Sequence, residues 1–132
     1  MKTLAKSALV SIFLIISAPA FSDTDMQTIQ IFICEFNDDA TSQQVLDMSA
    51  AWLKAAKKTK GGENMKLVIR FPIAEGAEAE GDFRFVLSTP TFAEWGAFTD
   101  AYEGSEVSKV DEKFNNLADC GASSIWEGLI IK

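Results

Sequence analysis

The stretch Ile29-Gln30-Ile31-Phe32-Ile33-Cys34-Glu35-Phe36 restricts the fold of this chain more than any other. Successive side chains of an extended strand point to opposite faces. Ile29, Ile31 and Ile33 therefore share one face, and Phe32, Cys34 and Phe36 share the other. A strand that is apolar on both faces belongs inside a sheet with a cover on each side. Asn37-Asp38-Asp39 ends the run. The rest of the chain must supply those two covers.

Thr41 follows as a helix N-cap, with Gln44 three residues on to complete a capping box. Val45, Met48, Trp52 and Ala55 or Ala56 recur at helical spacing, and Leu46 and Leu53 widen the stripe. Lys54, Lys57, Lys58 and Lys60 crowd the last turns, where cations suit the helix dipole, and Gly61-Gly62 stops the helix. Met65 to Phe71 then alternates, as do Phe83, Phe85 and Leu87, with an acidic connection between. Pairing Phe71 with Phe83 sets Ile69 beside Phe85 and Leu67 beside Leu87, so one face of this hairpin is wholly apolar. Thr91 and Glu94 open a second helix with the stripe Phe92, Trp95, Phe98 and Tyr102. Gly104 interrupts it and Ser105 recaps it. Val107, Val110, Phe114 and Leu117 continue as a second segment at an angle, ending at Cys120-Gly121. Ile125 to Ile131 reads as the last strand, with Trp126, Gly128 and Ile130 on one face and Ile125, Glu127, Leu129 and Ile131 on the other.

The amino terminus carries a different signal. Lys2 and Lys6 precede an apolar run from Ala8 to Ile16, then Ser17-Ala18-Pro19-Ala20. This is the pattern of a secretory signal peptide over residues 1–22, cleaved after Ala20 or Ser22. The run falls short of the about 20 residues that a membrane span needs. The mature part, 23–132, is one domain by size, expected in the periplasm or secreted, with no membrane association after cleavage. It holds ten basic and nineteen acidic residues, a formal charge of −9. Nucleic acid and anionic lipid both reward a basic face, so neither is expected as a partner. The two cysteines, Cys34 and Cys120, are expected to form a disulfide in an oxidising compartment.

The order β-α-β-β-α-β is the ferredoxin-like, split βαβ pattern. It gives an α+β domain with a four-stranded antiparallel sheet and two helices on one face. The last strand is then expected beside the first, antiparallel, in the middle of the sheet, and Cys120 near Cys34, stapling the second helix's end onto the sheet. The other face would carry Ile29, Ile31, Ile33, Val68, Val86 and the Ile125–Ile131 alternation, too apolar to stay bare. A second copy packed sheet to sheet would cover it. In element order, in this bare apolar face and in the helix start Thr91-Phe92-Ala93-Glu94-Trp95, the chain resembles the dimeric α+β barrel superfamily. That superfamily includes antibiotic-biosynthesis monooxygenase-like and NIPSNAP-like domains. The resemblance implies a homodimer through the sheet face, often with a pocket, and in some members catalysis on aromatic substrates or haem binding. This chain has no histidine, so the usual proximal haem ligand is missing, and no cofactor is expected.

The same absence removes the Ser-His-Asp triad and histidine-based zinc sites. One polar constellation remains: Glu35, Arg70, Arg84 and Glu127. Arg70 and Arg84 are the chain's two arginines, and the hairpin register sets them opposite each other, which is unfavourable without an anion or carboxylates nearby. The four are read either as a charge-balanced network at a dimer interface or as the polar floor of a pocket. In the second case the guanidinium forks would grip a carboxylate or enolate oxygen. Trp52, Trp95 and Trp126 are the tryptophans expected to border a ligand, though aromatics at helical spacing also serve as plain core. No metal site is expected. The acidic loop with Glu75, Glu78, Glu80 and Asp82 lacks EF-hand spacing. The leading expectation is a non-catalytic homodimer binding a small apolar or carboxylate ligand. The alternatives are a cofactor-free oxygenase or isomerase, with an arginine stabilising an oxyanion and Glu35 or Glu127 as base, and an interaction module docking through the open sheet face.

Overall fold

The computed structural model describes residues 26–74 and 81–129. The segment read as a signal peptide, the loop acids Glu75, Glu78 and Glu80, and Ile130 and Ile131 of the last strand lie outside the described residues. Strand β1 runs Met26–Phe36 and helix α1 Ser42–Ala56. Strands β2 and β3 are Lys66–Arg70 and Phe83–Thr89. Helices α2 and α3 are Phe92–Tyr102 and Glu106–Phe114, and strand β4 is Ala118–Leu129. The sheet is antiparallel in the order β2-β3-β1-β4; the last strand does lie beside the first, but on an edge and not in the middle as expected, because β3 pairs with the other side of β1 and takes the second inner place. The expected ferredoxin-like α+β fold is therefore present.

Local chemistry sets the element ends. The Thr41 hydroxyl accepts from the Gln44 backbone N–H at 3.3 Å, and the Gln44 amide oxygen accepts from the Thr41 N–H at 2.8 Å, closing the capping box of α1. Thr91 caps α2 through the Glu94 N–H at 3.1 Å, while the Glu94 carboxylate takes the Thr91 hydroxyl instead of its backbone N–H. Gly104 has φ +73 and splits α2 from α3, and Ser105 caps the second piece. Gly61, at φ +84, lies where any Cβ would collide with the backbone of Glu94 and Phe98. Glycine there lets the turn after α1 press against α2.

The hairpin register is as the alternation requires: Leu67 pairs with Leu87, Ile69 with Phe85 and Arg70 with Arg84. Leu67, Ile69, Phe83, Phe85 and Leu87 face the helices and join Cys34, Val45, Trp52, Met65 and Phe98 in one core. That core excludes water from most of its side chains, each worth about 1.5–3 kcal/mol when fully buried.

The last strand departs from expectation in three further ways. It begins at Ala118, not Ile125, and α3 ends at Phe114. Asn37 pins the intervening turn: its N–H donates to the Leu117 carbonyl at 2.9 Å and its amide to the Asn115 carbonyl at 2.8 Å. Cys120 is consequently a strand residue directly opposite Cys34, and their disulfide joins two neighbouring strands, not a helix to the sheet. A β-bulge also intervenes. Phe32 faces Ser123 but Cys34 faces Cys120, so Ile33 is matched by both Gly121 and Ala122. The extra residue inverts the alternation beyond it. Ile125, Glu127 and Leu129 fall opposite Gln30, Thr28 and Met26 on the helix side, while Ser124 and Trp126 pair with Ile31 and Ile29 on the open side. The open face thus carries Trp126 in place of Ile125, Glu127 and Leu129.

Candidate functional site

The break between α2 and α3 leaves space above the sheet. Helix α3 packs mainly on α1, and α2 leans over β1 and β3. Between them lies a cavity of about 350 Å³. Gln30 and Phe32 of β1 and Phe85 and Leu87 of β3 form its floor. Trp52 of α1 closes one side. Trp95, Phe98, Thr99 and Tyr102 of α2 line another, and Asp111 and Phe114 of α3 a third. Asn115 and Cys120 complete the rim.

The rings brace one another edge to face. Trp52 meets Phe85 at 5.3 Å between centroids and Phe98 at 5.9 Å, and Phe85 meets Phe114 at 5.4 Å. Such contacts fix ring orientation beyond what burial alone would do. Each cavity tryptophan is also tied by its polar end. The Trp52 indole N–H donates to Asp111 Oδ1 at 3.0 Å, and the Trp95 indole N–H donates to Gln30 Oε1 at 3.1 Å. Burial, and then the neighbouring Asp111 carboxylate with Glu112 behind it, pushes the Tyr102 phenol well above its ordinary value. Tyr102 therefore stays a neutral hydrogen-bond donor. Among the described residues no lysine or arginine lines this cavity.

The residues singled out from sequence divide between the two faces of the sheet. Trp52 and Trp95 border the cavity, whereas Trp126 lies on the open face, 59 % exposed, its indole N–H donating to Ser124 Oγ at 2.7 Å. Arg70 and Arg84 stand opposite each other on the open face, and Arg84 Nη1 donates to the Phe83 carbonyl at 3.3 Å. Glu35, two residues after Ile33 on β1 and opposite Asp119, shares that face. Glu127 does not, because the bulge turns it to the helix side, opposite Thr28. The four charged residues thus form no single cluster. Among the described residues the one ion pair within 4.0 Å is Lys109–Glu106 on α3. Asp82 of the acidic loop serves the backbone, accepting from the Phe36 N–H at 2.7 Å. The described residues hold no group of three or more metal-ligating side chains.

Sequence reasoning passed over Gln30 and Asp111. The signal was present in both cases. Gln30 has the parity of Phe32 and Cys34, and Asp111 follows Val107 by one helical turn on the inward stripe.

No protein-family model matches the chain, and no curated protein matches it. Solved structures do. Hydroxynitrile lyase from Passiflora edulis is similar at TM-score 0.51 and 9 % identity, over 83 % of this chain and 96 % of that one. A dimeric ferredoxin-like protein of unknown function from Thermobifida fusca YX gives TM-score 0.49 and 16 % identity, over 80 % and 92 %. A dimeric ferredoxin-like protein of unknown function from Bacteroides fragilis NCTC 9343 gives 0.41 and 7 %, over 80 % and 95 %. At 9 % identity the likeness to the first of these is one of fold alone.

Proposed function

We propose that this chain is an exported, disulfide-bonded binding protein that holds a small apolar ligand between helices and sheet. A second copy packs on the open sheet face. The cavity is the observation that carries the reading. Protein interiors are close-packed, and a space of about 350 Å³ among large aromatic side chains is no ordinary packing gap. Its size and largely apolar walls, with a few placed polar groups, match small-molecule sites. Export follows from the sequence of residues 1–22 and accords with the Cys34–Cys120 bond. Binding without catalysis is favoured by the groups at hand. Cys120 at the rim is bonded to Cys34 and offers no thiolate, and Tyr102 holds its proton.

The test is titration with the neutral fluorophore N-phenyl-1-naphthylamine. A saturable rise in emission is expected, weakened at least about tenfold by Thr99→Trp, which plugs the rim from an exposed helix position. Unsaturable emission, or full affinity in the plugged variant, would refute the reading.

A further inference from the structure

We propose that the ligand is an apolar amine, its ammonium group held against Asp111 beside the rings of Trp52, Phe98 and Tyr102. The inference rests on the cavity reading above and adds the ligand's charge. Among the described residues Asp111 is the one carboxylate on the cavity wall, and no lysine or arginine accompanies it there. Its partners are neutral: the Trp52 indole donates to Oδ1 at 3.0 Å, and the Tyr102 phenol lies beside the same carboxylate. No cation lies within 4.0 Å of it among the described residues. A half-buried carboxylate with one indole donor and a phenol beside it keeps unused acceptor capacity, since a carboxylate offers about four lone-pair positions.

A cationic donor would supply the missing charge through a charge-assisted hydrogen bond. The surrounding rings add to this. The faces of tryptophan, phenylalanine and tyrosine are electron-rich and attract ammonium groups within about 6 Å. A carboxylate ligand meets the reverse: it would be brought beside Asp111 with no basic side chain to receive it. The neutral donors at the other end, Gln30 with Trp95, are already paired with each other at 3.1 Å. The net acidity of the mature chain further raises the local concentration of cations over anions.

The test uses three probes of one shape: 3-phenylpropylamine, 3-phenylpropanol and 3-phenylpropionate, each competed against N-phenyl-1-naphthylamine. The amine is expected to bind at least about tenfold tighter than the alcohol, and the carboxylate weakest. Asp111→Asn, which keeps an acceptor for Trp52, is expected to shrink the amine–alcohol ratio to within about twofold. A carboxylate that binds as well as the amine overturns the assignment of charge while leaving the cavity reading intact. An amine preference that survives Asp111→Asn overturns the role of Asp111. Binding of the fluorophore with none of the three competing also overturns the ligand class. Failure of all four compounds to bind removes the cavity reading itself. Should Asp111→Asn not fold, the ranking on the unaltered protein decides alone.

Discussion

Asp111 lies one turn after Val107 and just before Phe114, on the stripe of α3 that points inward, and so brings a carboxylate to an otherwise aromatic wall. Its effect reaches Tyr102. Burial, and then this carboxylate, makes the folded state hold the phenolic proton more tightly than the unfolded chain does. The stability this contributes is complete below about pH 10, the ordinary tyrosine value, and is lost as the pH climbs beyond it. Tyr102 is the chain's single tyrosine, so ultraviolet titration reads it without interference. We expect phenolate absorbance to emerge only above about pH 10, together with loss of far-ultraviolet circular dichroism, and Asp111→Asn to lower the midpoint. Reversible ionisation near the ordinary value in folded protein would contradict the placement of Tyr102 beside Asp111.

Among the elements, β1 and β4 show best how a strand's neighbours decide its side chains. The Cys34–Cys120 bond spans 86 residues of sequence and links these two strands. Closing a loop of that length stabilises the fold by about 4–5 kcal/mol in the chain-entropy model. Urea denaturation with and without reductant should show a loss of that order, and unchanged stability would contradict it. The capped helices and the β2–β3 hairpin were legible because caps and a one-sided apolar alternation admit a single register. Strand β4 was not. Its first half, Ala118 to Ser124, has little apolar signal, since an edge strand need not bury either face. The bulge at Gly121-Ala122 then inverts every later side chain, and only pairing with β1 exposes it. The cavity was half legible for a related reason. Trp52 and Trp95 stand out as large residues on helical stripes, whereas Gln30 and Asp111 look like surface residues until the facing elements are in place.

At the scale of the whole molecule, the sheet separates two surfaces of different make-up. On the open side Ile29, Ile31, Ile33, Val68 and Val86 lie together with Trp126, and on the helix side the cavity opens toward Thr99 and Asn115. If a second copy covers the open side, the purified protein should sediment as a dimer. Val86→Lys, at the centre of that face, should weaken association about thirtyfold or more, as loss of a central interface contact does. A single-chain mass at high concentration would contradict the dimer. The separation of the two surfaces is tested most directly by the three indole N–H resonances in a nitrogen-15 spectrum. Two belong to the cavity, Trp52 on Asp111 and Trp95 on Gln30, and the third, Trp126, lies across the sheet. Adding N-phenyl-1-naphthylamine should shift the Trp52 and Trp95 signals and leave Trp126 in place. A shift of Trp126 alone, or of none of the three while the fluorophore binds, would contradict the account.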